Sequence, residues 1–388
     1  MGRFADHKAP LLAGTVASFA GTAATLGIVL SAFTALHATA AQSATAISVL
    51  IALYGLLSIV MSHRYKMPIS IVWSTPGAAL LISSGKLGLP FSSAVGAFIF
   101  TGVLLVITGL WPALGRVVAS IPKPIASAML AGVIFEFCVS PFKAAGEFPW
   151  IILPALVAWL ILFKVANVWA TPAAMVIVFA GSAMQQGLSF DSSRLFPDFS
   201  FVTPTFDWSA IISIGVPLYL VTMASQNIPG IAIMKSFGYE VPFRPIMIAT
   251  GAGSILGSLF GSFSINLAAI TAALNADSHA HKDPSRRWLS SVYGGYVYIL
   301  IALLSGITVA FVLQVPHDLI LAAGGIALLG TIVSALTSAV EVAQLRVPAM
   351  VTFLVTASGL SAFGIGSAFW ALLAGLTVWG WLSLRSTK

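Results

Sequence analysis

Long apolar stretches alternate with short polar ones along the whole chain. A helical membrane span needs roughly 20 apolar residues, and two of the stretches, 68–83 and 264–276, are short and begin with polar residues. The pattern lacks the alternating segments of about ten residues that mark a membrane β-barrel. It therefore predicts an all-α polytopic membrane protein with fourteen transmembrane segments, near 11–36, 43–62, 68–83, 92–112, 118–141, 149–165, 169–186, 209–230, 243–262, 264–276, 288–313, 315–340, 347–361 and 363–384.

The composition agrees with this interpretation, and the positions of the basic residues account for the positive net charge. The chain is 59% hydrophobic and 7% charged, with a net charge of +7, whereas a soluble domain carries about a quarter charged residues. With the N-terminus in the cytoplasm, fifteen of the eighteen Lys and Arg fall on the cytoplasmic side, as the positive-inside rule requires. The distribution of basic residues thus predicts a multi-pass protein of the inner membrane with both termini in the cytoplasm. Because it accounts for the net positive charge, no nucleic-acid partner is predicted. The first apolar run is expected to be a retained helix.

The spans divide into two halves around a polar connector. The connector, 187–208, separates two sets of seven segments. An odd number of spans in each half forces opposite orientations, so the halves are predicted to be inverted seven-helix repeats. The two short segments are the third and the tenth, and such paired, interrupted spans indicate a transporter binding site.

The third segment contains IVWSTPGAAL (71–80), which joins a proline to small polar residues. Pro76 has no N–H and disfavours helix at the residue before it. We therefore expect 69–75 to be extended and a half-helix to start at Pro76, capped by Ser74 or Thr75. The alternative is an ordinary kink that neighbouring helices repair.

The tenth segment, SFSINLAAITAALNAD (262–277), is predicted to mirror the third. Asn266 would cap a half-helix that runs through Leu274. In an inverted repeat the two helix N-termini face one another, and their N–H groups and dipoles favour a bound anion.

Further polar residues lie inside apolar spans. The eighth span contains three of them, Ser225, Gln226 and Asn227, just before a break expected at Pro229-Gly230. These side chains either bind a ligand or form hydrogen bonds between helices. Thr25 lies on the first span, where its favoured role is close packing between helices; the second interpretation is that it lines the substrate site. The two acids within apolar runs are Glu136 and Glu341, which are either proton-coupling candidates or solvated residues near helix ends.

Motifs of other function classes are absent from the sequence. It contains no H-E-x-x-H, G-x-S-x-G or G-x-x-x-x-G-K-[ST] motif, so we predict neither an enzyme nor a cofactor. The single Cys138 excludes an internal disulfide, and His279 and His281 alone are weak support for a metal, so none is predicted.

Several stretches resemble the benzoate:proton symporter (BenE) family. They are WSTPGAAL (73–80), PLYLVTMASQNIPGIAIMK (217–235), AAITAAL (268–274) and FLVTASGLSAFGIGSAFWALLAG (353–375). The resemblance extends over essentially the whole chain. It implies the fold shared by uracil permeases and sulfate/anion transporters, with a core (1–112 and 209–313), a gate (113–186 and 314–388) and the connector (187–208).

The resemblance also implies an activity and a site. The implied activity is uptake of benzoate or a similar aromatic carboxylate together with protons. The alternative function is a permease or channel of the same fold for another small anion or a nucleobase. A homodimer is possible. Uracil permeases of this fold carry acidic residues on the eighth and tenth spans, where this chain has the neutral Ser225, Gln226 and Asn266. Neutral residues suit an anionic substrate, but they leave the proton-binding group unassigned. The substrate-binding residues expected are Ser74, Thr75, Pro76, Gly77, Ala78, Ser225, Gln226, Asn227, Ile265, Asn266 and Leu267, with Thr25 added from the first span.

Overall fold

A computed structural model of the chain describes residues 2–186, 199–268, 270–306, 314–363 and 365–385. Most of the predicted connector and the end of the eleventh predicted span lie outside the described residues. The first half contains α1 (Gly2–Ala35), α2 (Ala40–Tyr65), α3 (Thr75–Ser84), α4 (Phe91–Leu110), α5 (Pro112–Ala119), α6 (Lys123–Ala144), α7 (Pro149–Val165) and α8 (Asn167–Gln186). The second contains α9 (Trp208–Ser236), α10 (Phe243–Ser258), α11 (Ile270–Ala276), α12 (Trp288–Leu303), α13 (His317–Val340), α14 (Arg346–Ala357) and α15 (Ser367–Arg385).

The prediction of a helical polytopic membrane protein is confirmed. Seven of the described helices are long and apolar enough to cross a membrane, namely α1 from His7, α2, α4, α6, α9, α13 and α15. Helices occupy parts of all fourteen predicted segments, but the fourteen crossings stay a prediction. Helix α5 was not predicted; it forms because Pro112, two residues after the last residue of α4, cannot continue that helix and suits the first turn of the next.

Two three-residue strands lie where the sequence predicts interrupted spans. Strand β1 (Ile71–Trp73) precedes α3, and β2 (Ile265–Leu267) precedes α11. They pair antiparallel, with Val72 opposite Asn266. The predicted extended stretch is confirmed at Ile71–Trp73 and at Ser74, whereas Thr75, which was expected to be extended, already belongs to α3. Because the strands are antiparallel, the chain leaves the ribbon at opposite ends on its way to α3 and to α11.

Serines from α2 and α10 satisfy the outer backbone groups of this ribbon. The Ser58 hydroxyl accepts from the Ile71 N–H at 2.9 Å and donates to the Ile71 carbonyl at 3.2 Å. On the other side the Ser254 hydroxyl accepts from the Ile265 N–H at 3.0 Å. A backbone group left unpaired inside a membrane is costly. These side chains therefore let so small a ribbon exist at the centre of the helical bundle.

Close helix pairs hold the serine-bearing helices in place. Helix α2 packs along α12, and α10 packs along α4. A Cβ atom at Gly251 would lie 2.7 Å from the Gly102 carbonyl oxygen, so the α4–α10 pair approaches at a distance that only glycine permits. Elsewhere α6 packs along α13 and along α14.

Candidate functional site

The start of α3 is a capped helix N-terminus beside the ribbon. Ser74 has an extended backbone (φ −88°, ψ 101°), and its hydroxyl accepts from the Gly77 N–H at 3.0 Å. The predicted serine cap is confirmed. The helix begins at Thr75, one residue earlier than expected, because Pro76 is accommodated at the second position, where its missing N–H is not needed.

One backbone donor in this first turn is left for a ligand. Pro76 has no N–H, the Gly77 N–H is used by the cap, and the Ala78 N–H donates to the Ser74 carbonyl at 2.8 Å. The N–H of Thr75, which is half-buried, finds no partner among the described residues. It is therefore free to donate to a carboxylate oxygen.

Asn266 lies within β2, so the prediction that it caps α11 is wrong. Strand pairing occupies this position, and the helix starts only at Ile270. Its side chain instead serves α3. In the amide orientation that satisfies both neighbours, Asn266 accepts from the Ser74 N–H and donates to the Leu267 carbonyl, each at 3.0 Å. Asn266 thus joins β2 to the cap of the opposite short helix.

Helix α9 carries two π-turns, one at Ile211–Gly215 and one at Met223–Asn227. The break predicted at Pro229-Gly230 is wrong, because the helix continues to Ser236. The second π-turn ends two residues before Pro229 and widens the helix there, which accommodates the hydrogen bond that the proline cannot make. Such turns are frequent at functional sites, and this one contains all three predicted polar residues.

The three polar residues of this π-turn have different environments. Asn227 is fully buried, and its Oδ1 accepts from the Leu267 N–H at 2.9 Å, so it holds β2 against α9. The half-buried Ser225 donates its hydroxyl to the Val221 carbonyl. Gln226 is half-buried, and its amide has no hydrogen bond to any residue that the structure describes. Gln226 is therefore the one of the three that can turn an unused amide to a ligand.

Thr25 connects α1 to the ribbon through a tryptophan. Its hydroxyl accepts from the Trp73 indole N–H at 2.9 Å and donates to the Gly21 carbonyl at 2.9 Å. Tyr54 packs edge-on against the same indole, with ring centroids 5.6 Å apart. The packing interpretation of Thr25 therefore has direct support, whereas its role as a ligand contact stays a prediction.

Replacing Thr25 by valine tests this support. The change keeps the side-chain shape but leaves the buried Trp73 indole N–H unpaired, which costs about 1 to 3 kcal/mol. We expect a lower melting temperature of the purified protein in detergent. Thr34→Val, on the same helix, is the control because the Thr34 hydroxyl bonds only its own helix, at Leu30. Equal melting temperatures for the two variants would contradict the account.

The structure gathers the predicted residues around one ribbon and separates them by burial. Thr75, Gln226, Ser225 and Thr25 keep accessible surface, whereas the others are buried and shape the site, namely Ser74, Pro76, Gly77, Ala78, Asn227, Ile265, Asn266 and Leu267. Sequence reasoning missed the serines of α2 and α10 that support the strands. Their only signal is a hydroxyl inside an apolar helix.

The two predicted acids are exposed and paired with lysines. Glu136 Oε2 lies 2.8 Å from Lys86 Nζ, and Glu341 Oε2 lies 3.6 Å from Lys123 Nζ. Both glutamate side chains are more than half exposed, at 59% and 61%. Each carboxylate therefore has a lysine partner at the protein surface, and both interpretations of these acids stay predictions.

The link between α11 and α12 anchors the second short helix. The Arg287 guanidinium donates from Nη1 to the Ala276 carbonyl, the last residue of α11, at 2.7 Å, and from Nε to the His281 carbonyl at 2.9 Å. At the start of the link, hydrogen bonds from the His279 backbone and ring lower the pKa of Asp277. The carboxylate thus stays ionised in neutral solution and keeps the turn after α11 closed.

Solved transporters share this architecture. The structure resembles the transmembrane domain of a cyanobacterium bicarbonate transporter BicA, with a TM-score of 0.61 and 14% identity, over 96% of this chain and 98% of that one. It also resembles SLC26A9, with a TM-score of 0.64 and 14% identity, over 97% of this chain and 66% of that one. The fold defines the class: a helical membrane protein with the fold of these two proteins.

The sequence comparisons define the family. Residues 5–380 match the family model of the benzoate membrane transport protein, BenE, and the chain belongs to that family. The resemblance expected from the motifs is thus confirmed. Relatives include the inner membrane protein YdcO of Escherichia coli (38% identical, over 94% of this chain and 93% of that protein) and the benzoate membrane transport protein of Acinetobacter baylyi (32% identical, over 82% and 81%).

Proposed function

We propose that the protein is a secondary active transporter that imports benzoate or a similar aromatic carboxylate, with protons, across the inner membrane. The observation that carries the proposal is the capped α3 start with its free Thr75 N–H, in a chain of the BenE family. The benzoate transport protein of A. baylyi supports the substrate class. The E. coli relative, named as an inner membrane protein, supports the location.

In this proposal the substrate's carboxylate lies between the starts of α3 and α11. The Thr75 N–H and the Gln226 amide donate to it, and the α3 dipole adds up to about 2 kcal/mol in a partly buried setting. Neutral amides suit this task because a nearby carboxylate would repel the anion. The site needs no lysine or arginine inside the spans, where such a charge is costly.

An apolar cavity beside α9 supports an aromatic substrate. Its volume is about 110 Å³, and it is lined by Met129, Val216, Pro217, Leu220, Ala368, Phe369, Leu372, Leu373 and Leu376. Leu218, between two of these residues on α9, also contacts the first turn of α3 at Gly77. The cavity approaches the size of one that takes up benzene, about 150 Å³. It is our candidate for the ring.

Transport requires the site to face each side of the membrane in turn. We propose fourteen spans in two inverted repeats, with a core (1–112 and 209–313) that moves against a gate (113–186 and 314–388). The antiparallel ribbon supports the inversion, because equivalent segments of the two halves meet there in opposite directions. Alternating access would then move the ribbon, α3 and α11 as one body.

Glutamine substitutions test whether either exposed acid couples protons. We expect Glu136→Gln and Glu341→Gln to retain proton-coupled uptake, because both carboxylates are exposed and paired with lysine. The measurement is the ratio of proton to benzoate flux in proteoliposomes under an imposed pH gradient. Loss of coupling in either variant would instead assign the proton to that residue.

Counterflow of labelled benzoate in proteoliposomes tests the function as a whole. A carrier loaded with unlabelled benzoate accumulates the label transiently, whereas a channel does not. Competition by uracil, sulfate and aliphatic acids then defines the substrate class. We expect competition by aromatic carboxylates alone; competition by uracil or sulfate would favour a permease for a nucleobase or another small anion.

A further inference from the structure

A polar crevice separates the end of α3 from the gate helices. One wall is formed by Ser83, Ser84 and Lys86, and the other by Gly132 and Glu136 of α6 together with the α14–α15 link and the start of α15. Its volume is about 60 Å³. The crevice therefore lies between the proposed core and the proposed gate.

An ion pair spans this crevice. Lys86 Nζ lies 2.8 Å from Glu136 Oε2, and the two side chains are 63% and 59% exposed. Lys86 belongs to the turn Gly85–Leu87, which is fixed on the core because a Cβ at Gly85 would lie 2.5 Å from the Ala35 carbonyl oxygen at the end of α1. The lysine thus presents its ammonium group to a carboxylate from a rigid support.

The opposite wall adds a second feature that favours anions. Helix α15 begins at Ser367 in the crevice wall, and the N–H groups of a first helical turn have no partner within the helix. The loop before it is held by the Trp370 indole N–H, which lies 3.2 Å from the carbonyls of both Ala362 and Ile365. An ammonium group and a helix start therefore face the same small space.

We propose that Lys86 is an access site for the substrate's carboxylate, and that Glu136 occupies it in this structure as an internal competitor. The inference rests on the proposed transport of an aromatic carboxylate. The crevice is smaller than the cavity of about 150 Å³ that takes up benzene, so the carboxylate group docks on Lys86 first. The ring follows when core and gate separate.

The proposal predicts opposite effects for the two partners of one ion pair. Lys86→Gln removes the docking cation and raises the KM for uptake. Glu136→Gln removes the competitor and lowers the KM. Because an exposed ion pair contributes up to about 1 kcal/mol, a change of about two- to fivefold is expected in each direction. A pair that only stabilises the fold would change both variants in the same direction.

The experiment is uptake of labelled benzoate by the full-length chain in proteoliposomes, at low and at high salt. The matched controls are Lys123→Gln and Glu341→Gln, which break another exposed pair, between α6 and the end of α13; both helices pack along one another and both belong to the proposed gate. We expect the controls to keep the wild-type KM. We expect the advantage of Glu136→Gln to shrink at high salt, because mobile ions screen the freed lysine.

The outcomes separate this inference from the proposed function. A KM that is unchanged in both variants, or that shifts the same way in both, would overturn the access site while benzoate uptake by the wild type still stands. No uptake by the wild type would overturn both. If Lys86→Gln does not reconstitute, Glu136→Gln alone decides, because a KM that is not lowered contradicts an internal competitor.

Discussion

Replacing Gly77 by alanine is expected to reduce benzoate uptake by about tenfold or more, as small displacements of a positioned donor do. The added Cβ would lie 2.7 Å from Leu218 Cδ1 and 2.9 Å from Ser74 Oγ. The side chain of the cap and that of α9 would both have to shift, and the Thr75 N–H would move with them. Initial rates in proteoliposomes measure the effect.

The control for this variant is Gly330→Ala. Gly330 lies within α13, and a Cβ there meets no atom within 4 Å. Alanine favours helix over glycine in a helix interior by roughly 0.5 to 1 kcal/mol, so Gly330→Ala reports the effect of a methyl group that contacts nothing. Normal uptake by Gly77→Ala would show that the first turn of α3 does not hold the substrate.

Replacing Asn227 by leucine is expected to destabilise the protein by about 2 to 3 kcal/mol. The fully buried amide oxygen accepts from the Leu267 N–H at 2.9 Å. Leucine keeps the size of the side chain but leaves that N–H unsatisfied in the interior, and β2 loses its connection to α9. The melting temperature in detergent and the yield of folded protein measure the loss.

The neighbouring residue is the matched control. Gln226→Leu removes an amide that bonds none of the described residues, so the melting temperature should stay close to that of the wild type while the KM for benzoate rises. Asn227→Leu with wild-type stability would contradict the structural role of Asn227. Gln226→Leu with wild-type KM would remove Gln226 from the substrate site.

Local chemistry made the interrupted spans predictable. Ser74 and Pro76 cannot continue a regular helix through this point at low cost, so a cap and a short helix could be expected from the sequence alone. The role of Asn266 could not, because it depends on which residue of a distant strand lies opposite. Helix caps are predicted from residues that are close in sequence, whereas Asn266 lies in a strand because it pairs with Val72, which is far away in sequence.

The same limit applies to the polar run on α9. Gln226 and Asn227 are neutral amides next to each other, and nothing in the sequence tells which one faces the protein. A π-turn decides it by changing the rotation of the helix at that point. The Lys86–Glu136 pair likewise could not be predicted from the sequence, because it joins elements that are remote along the chain.

The most direct test is to locate a bound substrate. A crystal structure with 4-bromobenzoate would place the bromine by its anomalous signal and the carboxylate by its density. We predict the carboxylate within hydrogen-bonding distance of the Thr75 N–H and the Gln226 amide, between the starts of α3 and α11. A carboxylate bound away from the ribbon, with the first turn of α3 empty, would contradict the account.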